Sequence, residues 1–456
     1  MTFTPWSILQ DIGILSILIL IGQVMRAKIS VFQKLFIPAP LIAGFIGLIL
    51  GPNVLGFLPL SKYLGTYASV LIVVVFAAMP IGQKVTKTSI ANKNVGGMFF
   101  NVTGMLLLQY ALFGIIGLLF FSNFSSAFGL IVPIGFQGGH GTAAAMGATL
   151  ETLGWPAATD LGMTSATAGL IGGIIFGVAL INWGARKGYT SYVKDPSKIS
   201  NDLLTGLIPI ENQKAGGKVT VSSISLDTLT FHLSLILTAS VLGYASVQYL
   251  KSIFPAVTVP DFSMALIFGF IIQMIISKTK TDKYVDRFTI SRISGVATDI
   301  LIVCGVASVK ISVVMAYLIP LVVLFTLGYI VVITWFRFVA PLCSDSDWFE
   351  RGMIAFGQAT GVLATGILLL RIVDPELRSK GLEDSGTVNL INRPIVIGFQ
   401  TFMPMLMSQK GNLPYFTSFA TIAGLLVLMV FAIKFKWIRK PTTLMALESS
   451  QLTNVN

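Results

Sequence analysis

Residues 133–147 read Pro133-Ile134-Gly135-Phe136-Gln137-Gly138-Gly139-His140-Gly141-Thr142-Ala143-Ala144-Ala145-Met146-Gly147. The flanking sequence is strongly apolar, yet this stretch is unsuited to a lipid-facing helix. Each of its glycines would cost a helix interior roughly 1 kcal/mol relative to Ala. Gln137, His140 and Thr142 add polar groups at membrane depth. Irregular backbone is tolerated there only where protein surrounds it or water reaches it. The stretch therefore predicts the tip of a re-entrant hairpin near 128–150, and with it a binding element. The run Phe356-Gly357-Gln358-Ala359-Thr360-Gly361-Val362-Leu363-Ala364-Thr365-Gly366 predicts a second hairpin near 352–373.

Around these hairpins the composition is that of an all-α polytopic membrane protein: 54% of the 456 residues are hydrophobic and 11% are charged. Apolar segments that can span a bilayer are expected at 6–25, 37–58, 64–83, 95–121, 159–183, 229–248, 262–277, 293–309, 312–335, 386–408 and 415–433. Cys304 and Cys343 form no metal or redox spacing, and His140 and His232 are too few for a histidine-rich metal site. Gly-x-Ser-x-Gly, His-Glu-x-x-His and the phosphate-binding Gly-x-x-x-x-Gly-Lys-Ser/Thr loop are all missing. The expectation is thus no enzyme and no direct ATP drive. A channel is disfavoured too, because no ring of identical pore-lining segments is available.

The net charge of +12 bears on topology rather than on nucleic acid. Arg26, Lys28 and Lys34 place the first loop inside, so the N-terminus is outside. Lys84, Lys87 and Lys93 then fall inside. The polar segment 184–228, with Arg186, Lys187, Lys194, Lys198, Lys214 and Lys218, falls inside only if 128–150 dips in and returns. By the same count the loop 278–292 lies inside, 352–373 must turn back, and the C-terminus is inside with Lys434, Lys436, Arg439 and Lys440.

An internal repeat fits this count. Ile37-Pro38-Ala39-Pro40 to Gly47 is echoed by Val259-Pro260-Asp261-Phe262 to Gly269, and Leu64-Gly65-Thr66 by Ile293-Ser294-Gly295. Each unit holds five transmembrane helices plus one hairpin. Five is odd, so the copies enter the membrane in inverted topology, as in secondary transporters. The expected organisation is an N-terminal repeat at 1–183, a cytoplasmic linker at 184–228 and a C-terminal repeat at 229–410. Residues 411–456 add an extra helix and a polar tail.

Phe136-Gln137-Gly138-Gly139-His140-Gly141-Thr142, the later Ala166-Thr167-Ala168-Gly169-Leu170-Ile171-Gly172-Gly173 and Ile37-Pro38-Ala39-Pro40 resemble the bacterial sodium/glutamate symporters over roughly residues 7–410. The second hairpin departs from the Gly-His-Cys-Gly-Phe-Gly type of signature found in that family. The resemblance implies Na⁺-coupled symport of glutamate or a related acidic amino acid across the bacterial cytoplasmic membrane. It also implies a homodimer, with an elevator-type movement of a hairpin-bearing part against a scaffold. The alternative is a proton- or sodium-coupled carrier of a di- or hydroxycarboxylate.

Backbone that stops being helical at depth leaves N–H groups free for an anion and C=O groups free for a cation. Candidate substrate-binding residues are Gln137, Gly138, Gly139, His140, Gly141 and Thr142 in the first hairpin, with Gln358, Thr360 and Gly361 in the second. The glycines could instead serve close helix packing. Arg393 and Arg371 suit a carboxylate, because a guanidinium forks onto it. Asn392 stands beside Arg393, whereas Arg371 could pair locally with Asp374. Na⁺ prefers oxygen ligands, which makes Asp299, Asp160, Thr164, Thr298 and Asn389 the cation candidates. Asp299 could instead pair with Lys310 or Arg393, and Asp160 could cap its own helix. No covalent cofactor is expected; the partners are the small anionic substrate, membrane lipid and a second copy of the chain, with no nucleic acid.

Overall fold

The computed structural model describes residues 4–83, 93–192, 201–213, 215–254, 259–344 and 346–439. Lys84, Lys87, Lys194, Lys198, Lys214, Lys440 and the tail after it lie outside the described residues. The first half holds α1 (Pro5–Lys28), α2 (Ala39–Leu50), α3 (Leu64–Ala78), α4 (Lys93–Phe120), α5 (Ile131–Phe136), α6 (Gly139–Thr152) and α7 (Ala158–Arg186). The second holds α8 (Thr228–Ile253), α9 (Asp261–Lys278), α10 (Arg287–Ser308), α11 (Ile311–Ala316), α12 (Leu318–Phe338), α13 (Trp348–Val373), α14 (Gly381–Met407) and α15 (Leu413–Lys434). No strand occurs among the described residues. Nine of the described helices are long and apolar enough to cross a membrane, and the chain is a multi-pass membrane protein.

Several boundaries differ from those read off hydropathy. The segment at 37–58 shortens to α2, because Gly51, Pro52, Asn53, Gly56 and Pro59 cannot continue a helix. The segment at 64–83 closes at Ala78, just ahead of Pro80 and Gly82. The one at 312–335 splits at Tyr317 into α11 and α12. α10 starts at Arg287, so Arg287 and Arg292 ride on a helix rather than in the loop. Asp286 sets that start by accepting a hydrogen bond from Thr289 N at 2.9 Å.

The first three helices of each half pack as one group. α1 lies on α2 and α8 on α9, α3 meets α10, and α2 crosses α10 as α9 crosses α3. Glycine permits both crossings. A Cβ on Gly47 would stand 3.0 Å from Ala307 Cβ, and one on Gly269 would press on the Ala77 carbonyl. The other helices form a second group, in which α7 carries α5, α6 and α13 while α4 carries α13, α14 and α15. The groups join where α6 touches α3 and α10, and where α7 touches α10.

Two elements turn back on themselves. Between α4 and α7 the chain enters at Phe128 and leaves at Trp155, whose rings lie 5.6 Å apart. Its turn is at Gln137–Gly139: Gln137 N and Gly138 N both donate to Pro133 O, and Gly139 takes φ +63. α13 has the length of a spanning helix, but its helical dihedrals fail at Gly361 (φ −161, ψ 33) and Val362 (φ 70, ψ 171). Gly357 consequently rests on Gly366. A Cβ at either place would meet backbone, which is why small residues stand there.

Candidate substrate and cation site

The two turns meet each other. A Cβ on Gly139 would sit 2.5 Å from Val362 Cγ1. Glycine is needed here both for the positive φ and for the approach. Val362 holds a dihedral pair that β-branched residues avoid, at a cost of order 1–3 kcal/mol. Gly361 next to it lies against Leu170 of α7.

α7 backs both turns. Gly169 lies against Phe136 and the Thr360 carbonyl, and Gly173 against the Thr360 side chain. Tyr329 of α12 donates to Ala168 O at 2.5 Å and fixes this run. The Ala-Thr-Ala-Gly-Leu-Ile-Gly-Gly sequence is thus a platform for two tips, with its glycines at the contacts. His140 is buried, and its Nε2 lies 3.1 Å from Thr167 Oγ1 on the same platform.

α14 supplies the opposite wall. Gln358 Nε2 donates to Asn389 Oδ1 at 3.0 Å, and Gln400 Nε2 donates to Thr142 Oγ1 at 2.8 Å. Asn389, Arg393 and Gln400 follow an i, i+4, i+11 spacing, which keeps them on one helix face. Arg393 therefore stands between the contact to the second hairpin and the contact to the first. Its Nη1 approaches Met79 Sδ at 3.1 Å, and no carboxylate pairs with it among the described residues. Arg287 converges on the same end of α3, donating from Nη1 to Ala78 O (3.0 Å) and Ile81 O (2.7 Å).

Amide side chains on α4, α13 and α14 leave buried oxygens without a donor. Gln109 of α4 donates from Nε2 to Ala359 O at 3.0 Å. Its Oε1, Gln358 Oε1 and Asn392 Oδ1 are all buried without a donor. Unmatched buried acceptors are costly, and a hard cation or a substrate ammonium would satisfy them. The hydroxyls fit the same role. Thr360 donates to Phe356 O (3.0 Å), Thr164 to Asp160 O (2.8 Å), Thr298 to Ser294 O (2.8 Å) and Thr365 to Gly361 O. Each spends its proton on its own helix and keeps oxygen lone pairs as acceptors.

The other sequence candidates are scattered. Gln137 and Gly138 lie in the first turn, and Gly141 faces Ile72 of α3. Asp160 does not cap its own helix; it is buried and accepts from Lys310 N at 3.1 Å, the residue before α11. Asp299 is exposed on α10, and no hydrogen bond or ion pair joins it to Lys310, Arg393 or another site residue. Arg371 is exposed as well. Its possible partner Asp374 instead accepts from Arg378 N and Ser379 N, both at 2.8 Å. Gln109, Gln400, Met79 and Arg287 were not singled out by sequence. For Gln109 the signal was available: an amide inside the long apolar run of α4, where Asn101 is the other buried one. Among the described residues no three His, Cys, Asp or Glu side chains gather into a metal-binding group.

A model of the sodium/glutamate symporter family matches residues 5–347. The matched part ends one residue before α13, so the second hairpin and α14 lie beyond it. A comparison with curated proteins returned no match.

Proposed function

Because the chain belongs to the sodium/glutamate symporter family, we propose that it carries glutamate or a related acidic amino acid into the cell with Na⁺, and that the substrate sits where the two hairpin turns meet α14. The observation that carries this reading is Arg393, a cation without a carboxylate partner, set between the two hairpin contacts of α14. A substrate carboxylate takes the place now held by Met79 Sδ, since a guanidinium binds a carboxylate far better than a thioether. The first turn of α6, at Gly139–Gly141, offers N–H groups to the substrate. The buried oxygens of Gln109, Gln358 and Asn392 take the substrate ammonium or Na⁺. His140 and Thr167 orient the first turn.

Both turns are read as re-entrant within the bilayer, and the two halves as inverted repeats. The paired crossings of α2 on α10 and of α9 on α3 support this, because they exchange the halves. In this reading the group holding both hairpins is the transport part, and it moves elevator-fashion against the group built from α1–α3 and α8–α10. The protein works as a homodimer in the bacterial cytoplasmic membrane, N-terminus outside and C-terminus inside. Binding of Na⁺ organises the substrate site beside the turns, and only the fully loaded or empty part crosses. Each net charge moved contributes roughly 2.3 kcal/mol per 100 mV.

The test is uptake of labelled glutamate by proteoliposomes under an inward Na⁺ gradient, against a proton gradient and matched K⁺ controls. Na⁺-driven accumulation is the expected result. Accumulation of a di- or hydroxycarboxylate without glutamate uptake would replace the substrate and keep the site.

A further inference from the structure

At the end of the bundle where α1 begins, a cavity of about 550 Å³ opens between α1, the segment after α2 and the end of α10. It lies apart from the hairpins and takes no part in the mechanism above. Asp11, Asn53, Lys62, Tyr63, Ser308 and Lys310 line it. Asn53 Nδ2 forms part of its floor, donating to Ser308 O (3.0 Å) and Val309 O (3.2 Å). The only carboxylate in the lining, Asp11, is 1% exposed and accepts from Ser61 N (2.9 Å), Ser61 Oγ (2.5 Å) and Tyr67 OH (2.8 Å). It is spent internally. The ammonium groups of Lys62 and Lys310 pair with no carboxylate among the described residues, and Lys62 Nζ lies 5.6 Å from the Tyr63 ring centroid.

The cavity thus presents two cations, Lys62 and Lys310, the second within the field of the Asp160 carboxylate, and no carboxylate in its lining with acceptor capacity to spare, which selects an anionic ligand. An acidic amino acid is a poor fit, because its ammonium would find the one carboxylate already saturated. The rim settles the class. Trp6 is 77% and Phe57 74% exposed, and Leu9, Ile17 and Leu20 continue an exposed apolar stripe down α1. Trp6 precedes the lining residue Ser7 and Phe57 lies two residues before the lining Pro59; exposed aromatic residues next to a basic pocket, with an exposed apolar stripe on the same helix, are the setting of a lipid headgroup at the membrane interface.

We propose that this cavity holds the headgroup of an anionic phospholipid, its phosphate between Lys62 and Lys310 and its acyl chains along α1. The floor contains the end of α10, and Lys310 N donates to Asp160 at the start of α7. The lipid would therefore sit on the joint between the two helix groups.

Titration of the detergent-solubilised full chain with phosphatidylglycerol, read by native mass spectrometry, tests this. A one-to-one adduct is expected, with phosphatidylcholine binding more weakly. Lys62→Gln or Lys310→Gln should weaken phosphatidylglycerol binding about fivefold each, and about 30-fold together, at the usual contribution of a basic residue near anionic lipid. The pair Lys62→Arg and Lys310→Arg should retain the adduct, which separates loss of charge from loss of fold. Equal affinity in the wild type and the double Gln variant, or equal affinity for the two lipids, would overturn the proposal. Displacement of phosphatidylglycerol by millimolar inorganic phosphate or glutamate would overturn it too, assigning the cavity to a small soluble anion.

Discussion

Arg393 has a sulfur atom where a carboxylate would be expected, which makes it the central residue of the proposed site. A lysine there keeps the charge but loses the fork. Arg393→Lys should raise the KM for glutamate by about 10- to 100-fold, the worth of a charge-assisted hydrogen bond. Na⁺-driven uptake kinetics measure it, and an unchanged KM would remove Arg393 from the site. The cation side makes a comparative prediction. Gln109→Leu or Gln358→Leu should weaken Na⁺ activation of uptake more than Asp299→Asn does, since the amide oxygens are buried and unmatched whereas Asp299 is exposed. The opposite ranking would return the cation to α10. The choice of Arg393 is legible from residue type; the cation ranking is not, because Asp299 is the better ligand by charge and only burial favours the amides.

At the scale of elements the hairpins depend on one contact between turns. Gly139→Ala puts a methyl group into Val362 Cγ1 and a side chain onto φ +63, a strain of about 1–2 kcal/mol beyond the collision. Uptake should fall strongly in protein that still inserts. Adding Val362→Ala removes the collision but not the strain, so the double variant should recover activity in part. No recovery would mean that the turns do not pack on each other in the working protein. α14 provides the second check on elements. Gln400→Leu leaves the Thr142 hydroxyl buried without its donor, at a cost of about 1–3 kcal/mol. The pair with Thr142→Val should restore much of the thermal stability in detergent.

For the whole molecule, the join that can be tested by pH is at Asp286, which lies just outside α10. Burial is the largest single influence on its carboxyl and pushes it up. Hydrogen bonds from Thr289 N and Oγ1 and from Lys218 N outweigh that and hold it below the ordinary range. Asp286 N also donates to His232 Nε2 at 2.7 Å, so one residue ties the linker, α8 and α10 together. A depressed carboxyl contributes stability that is complete above its unfolded value and is lost as the pH falls through the folded one. Asp286→Ala should cost about 1 kcal/mol near neutrality. The difference from wild type should shrink below about pH 4. Unfolding curves recorded across that range would show it; a constant difference would mean that the cap acts through shape and not charge.

The sequence by itself determined the class of molecule, the two glycine-rich turns and the family. Those follow from local properties: hydropathy marks where apolar helices lie, and glycine takes the positive φ on which the first turn depends. It also marked the Gly169–Gly173 run without saying what rests on it. Tertiary structure decided which residues meet. Val362 touching Gly139, Gln400 reaching Thr142 and Arg393 lying on Met79 join positions 223, 258 and 314 residues apart, and no local preference encodes such pairings. The same holds for Asp160, whose partner is a backbone N–H in the other half. It holds too for Asp11, an acidic residue in an apolar first helix whose saturation by Ser61 and Tyr67 appears only when α1 and α3 are packed together.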